Sequence, residues 1–175
     1  MPEAGEEQTR EERLEIARRY RERRGGELRD LAGRAIDGDV VAAGEFSTVP
    51  TEALAAIPLV GMVLVPWSRR RSRRRTGLPP SILLALSSGT VHALELQPAD
   101  VRRAEAEVRE AKSWPRAGVS VESVGRAFMR SVVTLRVPDA DQPVVLYAPS
   151  LRTNPWSAEV VRALGGDAPK PLDLT

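Results

Sequence analysis

The chain has 175 residues, 42% of them hydrophobic, enough for one domain with its own core. It holds no cysteine and a single histidine, which excludes disulfides, thiolate metal sites and cysteine nucleophiles. The net charge of +2 is unevenly spread: six arginines and no acid lie between residues 69 and 75, so the remainder is mildly acidic.

Residues 1–37 read as a charged helical extension. Thr9 and Glu12 stand at capping-box spacing and predict a helix from about Arg10 to Arg24. Gly25-Gly26 is expected to interrupt it. A second helix should then run from about Glu27 to Ile36, with Leu28, Leu31, Ala32, Ala35 and Ile36 on one face. That stripe either docks on the body or serves as a partner-binding arm.

From residue 38 to 166 the pattern becomes one of short strands, and 167–175 reads as a flexible tail. Val40–Phe46 is the first expected strand. Ile82–Leu86, the turn Ser87-Ser88-Gly89 and Thr90–Leu96 form an expected hairpin. Ala99–Lys112 favours a short exposed helix by propensity, with an extended connection as the alternative. Val119–Val124 is a further strand. Phe128–Val137 alternates, with Met129, Ser131, Val133, Leu135 and Val137 on the face expected to be buried. Residues 138–143 turn the chain, and Val144–Ala148 returns. A closing helix is expected from Pro155, with Asn154 as N-cap, Gly165-Gly166 as the stop, and Trp156, Val160, Ala163 and Leu164 on one face. The expected class is α+β: an antiparallel β-barrel or sandwich closed by a C-terminal helix.

Several short stretches carry a family likeness: Leu78–Leu86, the hairpin through Thr90–Leu96, Ser113-Trp114-Pro115-Arg116, and Thr134–Asp139. Together they resemble a group of actinobacterial proteins of uncharacterised activity that carry a pleckstrin-homology-like (PH-like) domain. The likeness covers about residues 40–165. It implies a seven-stranded, two-sheet barrel with one end plugged by the helix of Trp156, and it implies no enzyme activity. Ser87 replaces the threonine usual at the end of the group's first hairpin strand, and a long charged segment precedes Trp114.

The insert at residues 47–81 is the least ordinary part of the chain. Within it, Ala53–Trp67 is apolar throughout, broken only by Pro58 and Pro66. As a helix its fifteen residues would rise about 22 Å against roughly 30 Å of hydrocarbon, which argues against a membrane span. It either enters the core or dips into a bilayer or a partner, with Leu64, Val65 and Trp67 as the insertion candidates. Arg69, Arg70, Arg71, Arg73, Arg74 and Arg75 follow directly. They form either a solvated loop or a local positive field that would attract anionic membrane lipid or an acidic protein partner. The likeness implies the same by position: in a PH-like topology this loop joins strands one and two and carries basic residues in lipid-binding members of the wider superfamily. Nucleic acid is disfavoured, because the cluster holds no aromatic for base stacking and no nucleic-acid-binding signature appears elsewhere.

His92 falls mid-strand and reads as structural. Trp114 and Trp156 read as core anchors. No Walker, G-x-S-x-G or G-x-G-x-x-G motif is present. No catalytic residue, metal, cofactor or small-molecule substrate is expected. The expected reading is a non-enzymatic binding module, cytoplasmic and peripheral at the inner membrane face, with protein–protein interaction as the alternative and nucleic-acid binding third.

Overall fold

A computed structural model describes residues 4–36, 38–49, 76–97, 106–127 and 129–171, with side chains from Glu12 onward. The class is α+β. Helix α1 (Ala4–Gly33) leads into strands β1 (Ala42–Ser47), β2 (Ser81–Leu86), β3 (Thr90–Gln97) and β4 (Glu107–Pro115). A single 3-10 turn at Arg116–Gly118 precedes β5 (Ser120–Ala127), β6 (Arg130–Arg136) and β7 (Val144–Pro149), and helix α2 (Pro155–Ala163) closes the order.

The seven strands form one antiparallel sheet in the order β4-β3-β2-β1-β7-β6-β5. Strands β1 and β7 meet at one residue pair, Ser47 with Tyr147, so the sheet is two half-sheets hinged at that point. Their inner faces share a core. Ile82, Leu84, Leu86, Val91 and Ala93 of the first half are buried with Val133, Leu135, Val144 and Leu146 of the second. Helix α2 lies where β1 parts from β7. It adds Val160, Val161 and Leu164 to this core, and its Ser157 hydroxyl donates to the Glu45 carbonyl at 3.1 Å. A glycine is required at that crossing: a Cβ on Gly44 would stand 2.7 Å from Ser157 Cα.

The outer face of the first half-sheet is also apolar and carries Ala43, Leu83, Ala85 and Leu94. Leu28, Leu31 and Ala32 of α1, and Ile36 in the turn after it, cover it together with Trp156. The expected stripe of α1 is therefore part of the fold, not a free arm. Arg24 fixes the approach, donating to Glu45 at 2.5 Å. Partial burial works against that guanidinium's charge, but Glu45 and the bonds to it more than offset this and its pKa is raised.

Four expectations are corrected here. Gly25-Gly26 does not interrupt the helix, and Thr9 lies inside it, not at its cap. Two interior glycines cost roughly 2 kcal/mol relative to alanine, whereas burying Leu28, Leu31 and Ile36 is worth roughly 1.5–3 kcal/mol each. Docking wins and the helix continues. Residues 107–112 are strand, not helix, because β4 pairs with β3 from Glu107 onward. Residues 98–105 lie outside the described residues. Met129 is 81% exposed, since it precedes β6, and only Val133, Leu135 and Val137 of its expected face are buried.

The fourth correction is closure. The sheet is open: β4 and β5 are its edges, and among the described residues no ladder joins them. The start of the β5 edge is held by α2, where Val121 N–H donates to the Leu164 carbonyl at 3.4 Å. Asn154 makes no cap bond to the helix, its amide donating to the Ser150 carbonyl instead, while Gly165 ends α2 in the left-handed region at φ 82°. Packing continues past residue 166, with Ala168 buried in the inner core.

The two kinds of glycine should separate on substitution. Gly44→Ala is expected to destabilise by roughly 1–3 kcal/mol, because helix and strand must move apart. Gly26→Ala meets nothing within 4 Å and is expected to stabilise by up to about 1 kcal/mol. Urea unfolding of the two variants beside the native chain measures both.

Candidate functional site

The insert between β1 and β2 leaves and rejoins the fold at one place. At this stem Thr48 N–H donates to the Pro80 carbonyl at 2.9 Å and Thr48 Oγ1 donates to the Pro79 carbonyl at 3.0 Å. Ser47 Oγ accepts from Val49 N–H at 3.2 Å and donates to the Val49 carbonyl at 2.7 Å. Leu78 N–H donates to Thr76 Oγ1 at 3.2 Å. Val49 and Leu78 are buried, so both legs are anchored by packing as well as by hydrogen bonds. Leu64, Val65, Trp67 and the arginines 69, 70, 71, 73, 74 and 75 all fall in residues 50–75, outside the described residues. The stem fixes where that segment is attached, since Arg75 is bonded to Thr76.

Beside the stem stands a cluster that reading along the sequence did not assemble. A Cβ on Gly77 would lie 3.8 Å from Lys112 Nζ. Lys112 bridges to Asp139 at 2.7 Å and lies 5.6 Å from the Trp114 ring centroid. Trp114 Nε1 donates to the other Asp139 oxygen at 2.6 Å. The contact ties edge strand β4 to the β6–β7 turn, near the stem of the β1–β2 insert. The hydrogen bond from Lys112, supplemented by the indole, holds the Asp139 carboxyl below the usual aspartate range against a smaller desolvation effect. The only sequence signal for it is a tryptophan needing an acceptor for its N–H.

Arg116, in the 3-10 turn after β4, reaches the opposite end of β2. Its guanidinium donates to the Ala163 carbonyl at the end of α2 at 3.1 Å and to the Ser87 carbonyl at 3.4 Å. A cation on the last carbonyls of a helix also favours its dipole. The end of α2 and the insert stem are thus at opposite ends of β2. His92 stands mid-strand as expected, with Nδ1 2.7 Å from Glu110 and Nε2 3.5 Å from Ser87 Oγ. Trp114 and Trp156 are both buried, as expected of core anchors.

Among the described residues no group of three metal-ligating side chains comes together, and no helix is long and apolar enough to cross a membrane. No protein-family model and no curated protein matches the sequence.

The Asp139 contact makes a pH prediction. A carboxyl whose pKa is lowered on folding stabilises fully above the unfolded value of about 4, and the contribution is lost as pH falls through the lowered folded value. In urea titrations the stability gap between the native chain and Asp139→Asn is expected to be widest near neutral pH and to close in acid.

Proposed function

We propose that the chain is a binding module on a PH-like scaffold, held peripherally at an anionic membrane surface by the apolar and polybasic insert. The observation that carries this reading is the stem. The insert hangs from one anchored pair of legs between the first two strands, away from the end of α2. Seven antiparallel strands followed by one packed helix support the family likeness, although the sheet is open where the likeness implies a barrel.

The energetics suit a reversible attachment. An anionic surface contributes about 1 kcal/mol per nearby basic residue, so six arginines supply at most roughly 6 kcal/mol. Salt screens that attraction within a Debye length of about 10 Å at 0.1 M. Shallow insertion of Leu64, Val65 and Trp67 would add apolar burial that salt does not screen.

A second reading, a protein-interaction module, has its own support. The first half of α1 presents Ile16, 67% exposed, and Tyr20, 51% exposed, ahead of the docked stripe. That surface would take a partner helix without any lipid.

Vesicle co-sedimentation tests the first reading. The native chain is expected to pellet with anionic but not zwitterionic vesicles, less at physiological than at low salt. Replacing all six arginines of 69–75 by alanine should abolish pelleting. No binding to anionic vesicles at low salt would overturn the membrane reading, and loss of partner capture on Ile16→Asp with Tyr20→Asp would favour the second.

A further inference from the structure

A groove of about 330 Å³ runs between α1 and α2, away from the insert stem. Arg21, Gly25 and Arg29 line it from one face of α1 at successive four-residue steps, and Arg162 lines it from α2. Its floor includes Ala43 and Trp156. The volume is at the small end of the range for small-molecule sites, about 300–1,000 Å³.

Two features make this more than a seam between helices. The first is Gly25. It sits inside a continuous helix, where glycine costs about 1 kcal/mol relative to alanine, yet a Cβ there would meet nothing within 4 Å. Packing does not require the glycine; its effect is to leave the groove open. The second is charge. Three arginines from two helices line the groove around Ala43 and Trp156, and like charges beside a low-dielectric wall strengthen the local field. Glu22 and Glu159 also line the groove, so it keeps an excess of one positive charge and offers acceptors beside the donors. Arg21 and Arg162 already have partners, Arg162 donating to the Pro169 carbonyl at 3.2 Å through one amino group, and each guanidinium has five N–H donors in all.

We propose that this groove binds a small organic oxyanion, a phosphate monoester or a polycarboxylate no larger than a mononucleotide. Arginine's planar fork matches the paired oxygens of either group. The apolar floor takes the ligand's body, and the two glutamates accept from its hydroxyl or amino groups.

The test is calorimetric titration of the full chain with adenosine monophosphate, citrate and uncharged adenosine, at low and physiological salt. Saturable one-to-one binding of adenosine monophosphate or citrate, but not of adenosine, is expected, and whichever anion binds names the source. Gly25→Leu, which fills the groove, and Arg29→Glu, which reverses an exposed charge at its rim, should each weaken binding by about tenfold or more, a loss of about 1.4 kcal/mol. Gly25→Leu should melt no lower than the native chain, because it improves helix propensity, so lost binding would not be lost folding. Binding should persist when the six arginines of 69–75 are changed to alanine. The proposal is overturned if neither anion binds, if adenosine binds equally well, or if Gly25→Leu and Arg29→Glu leave the affinity unchanged.

Discussion

Strand β2 is buried on both faces, and that constraint organises the rest of the molecule. Ile82, Leu84 and Leu86 point to one side and Leu83 and Ala85 to the other, all removed from water. A sheet face is stable only when something apolar covers it. The inner face is covered by folding the second half-sheet over the first, with α2 filling the gap where β1 and β7 diverge. The outer face is covered by the second half of α1. Each large aliphatic side chain so buried is worth roughly 1.5–3 kcal/mol, which exceeds the local cost of the glycines, charges and helix ends that meet there.

An open sheet leaves two edges, and the molecule handles them differently. Strand β4 is protected by its own chemistry: Glu107, Arg109 and Glu110 are exposed, and Ala111 is the extra residue of a bulge against β3. Strand β5 is protected at its start by the turn after α2, where Val121 finds a carbonyl acceptor in Leu164. Side chains then link what no ladder joins. Trp114 and Lys112 of β4 hold Asp139 in the β6–β7 turn, and Arg116 holds the end of α2 to the β2–β3 turn. Contacts of this kind require particular residues, whereas a closing ladder would need only backbone.

The same physics decides what could be read from the sequence. Strands with a buried face were legible, because apolar residues recur with period two along β6 and β7 and run continuously along β2. The edge strand β4 was not. The charged residues that protect an edge, Glu, Arg and Lys, are also good helix formers, so propensity misread Glu107–Lys112. The unbroken α1 was hidden for the converse reason, since local preference puts a break at Gly25-Gly26 and only tertiary docking overrides it. Of the candidate site, the insert was conspicuous in composition. Its anchored stem and the Lys112–Trp114–Asp139 cluster join residues far apart in sequence, which periodicity does not register.

Strand β1 links the two surfaces proposed to bind. Within a few residues it supplies Ala43 to the floor of the helical groove, Gly44 to the crossing with α2, Glu45 to Arg24 of α1, and Ser47, with Thr48 just after it, to the insert stem. It is paired with β2 at six consecutive positions and pressed by a helix on each face. A well-packed strand held in register does not slide by small amounts, because a one-residue slip would turn its whole buried face outward. The α1 wall of the groove is held to this strand by the Arg24–Glu45 bridge and to the sheet by the outer-face leucines. One strand thus joins the stem of the proposed surface attachment to the floor of the proposed small-ligand groove.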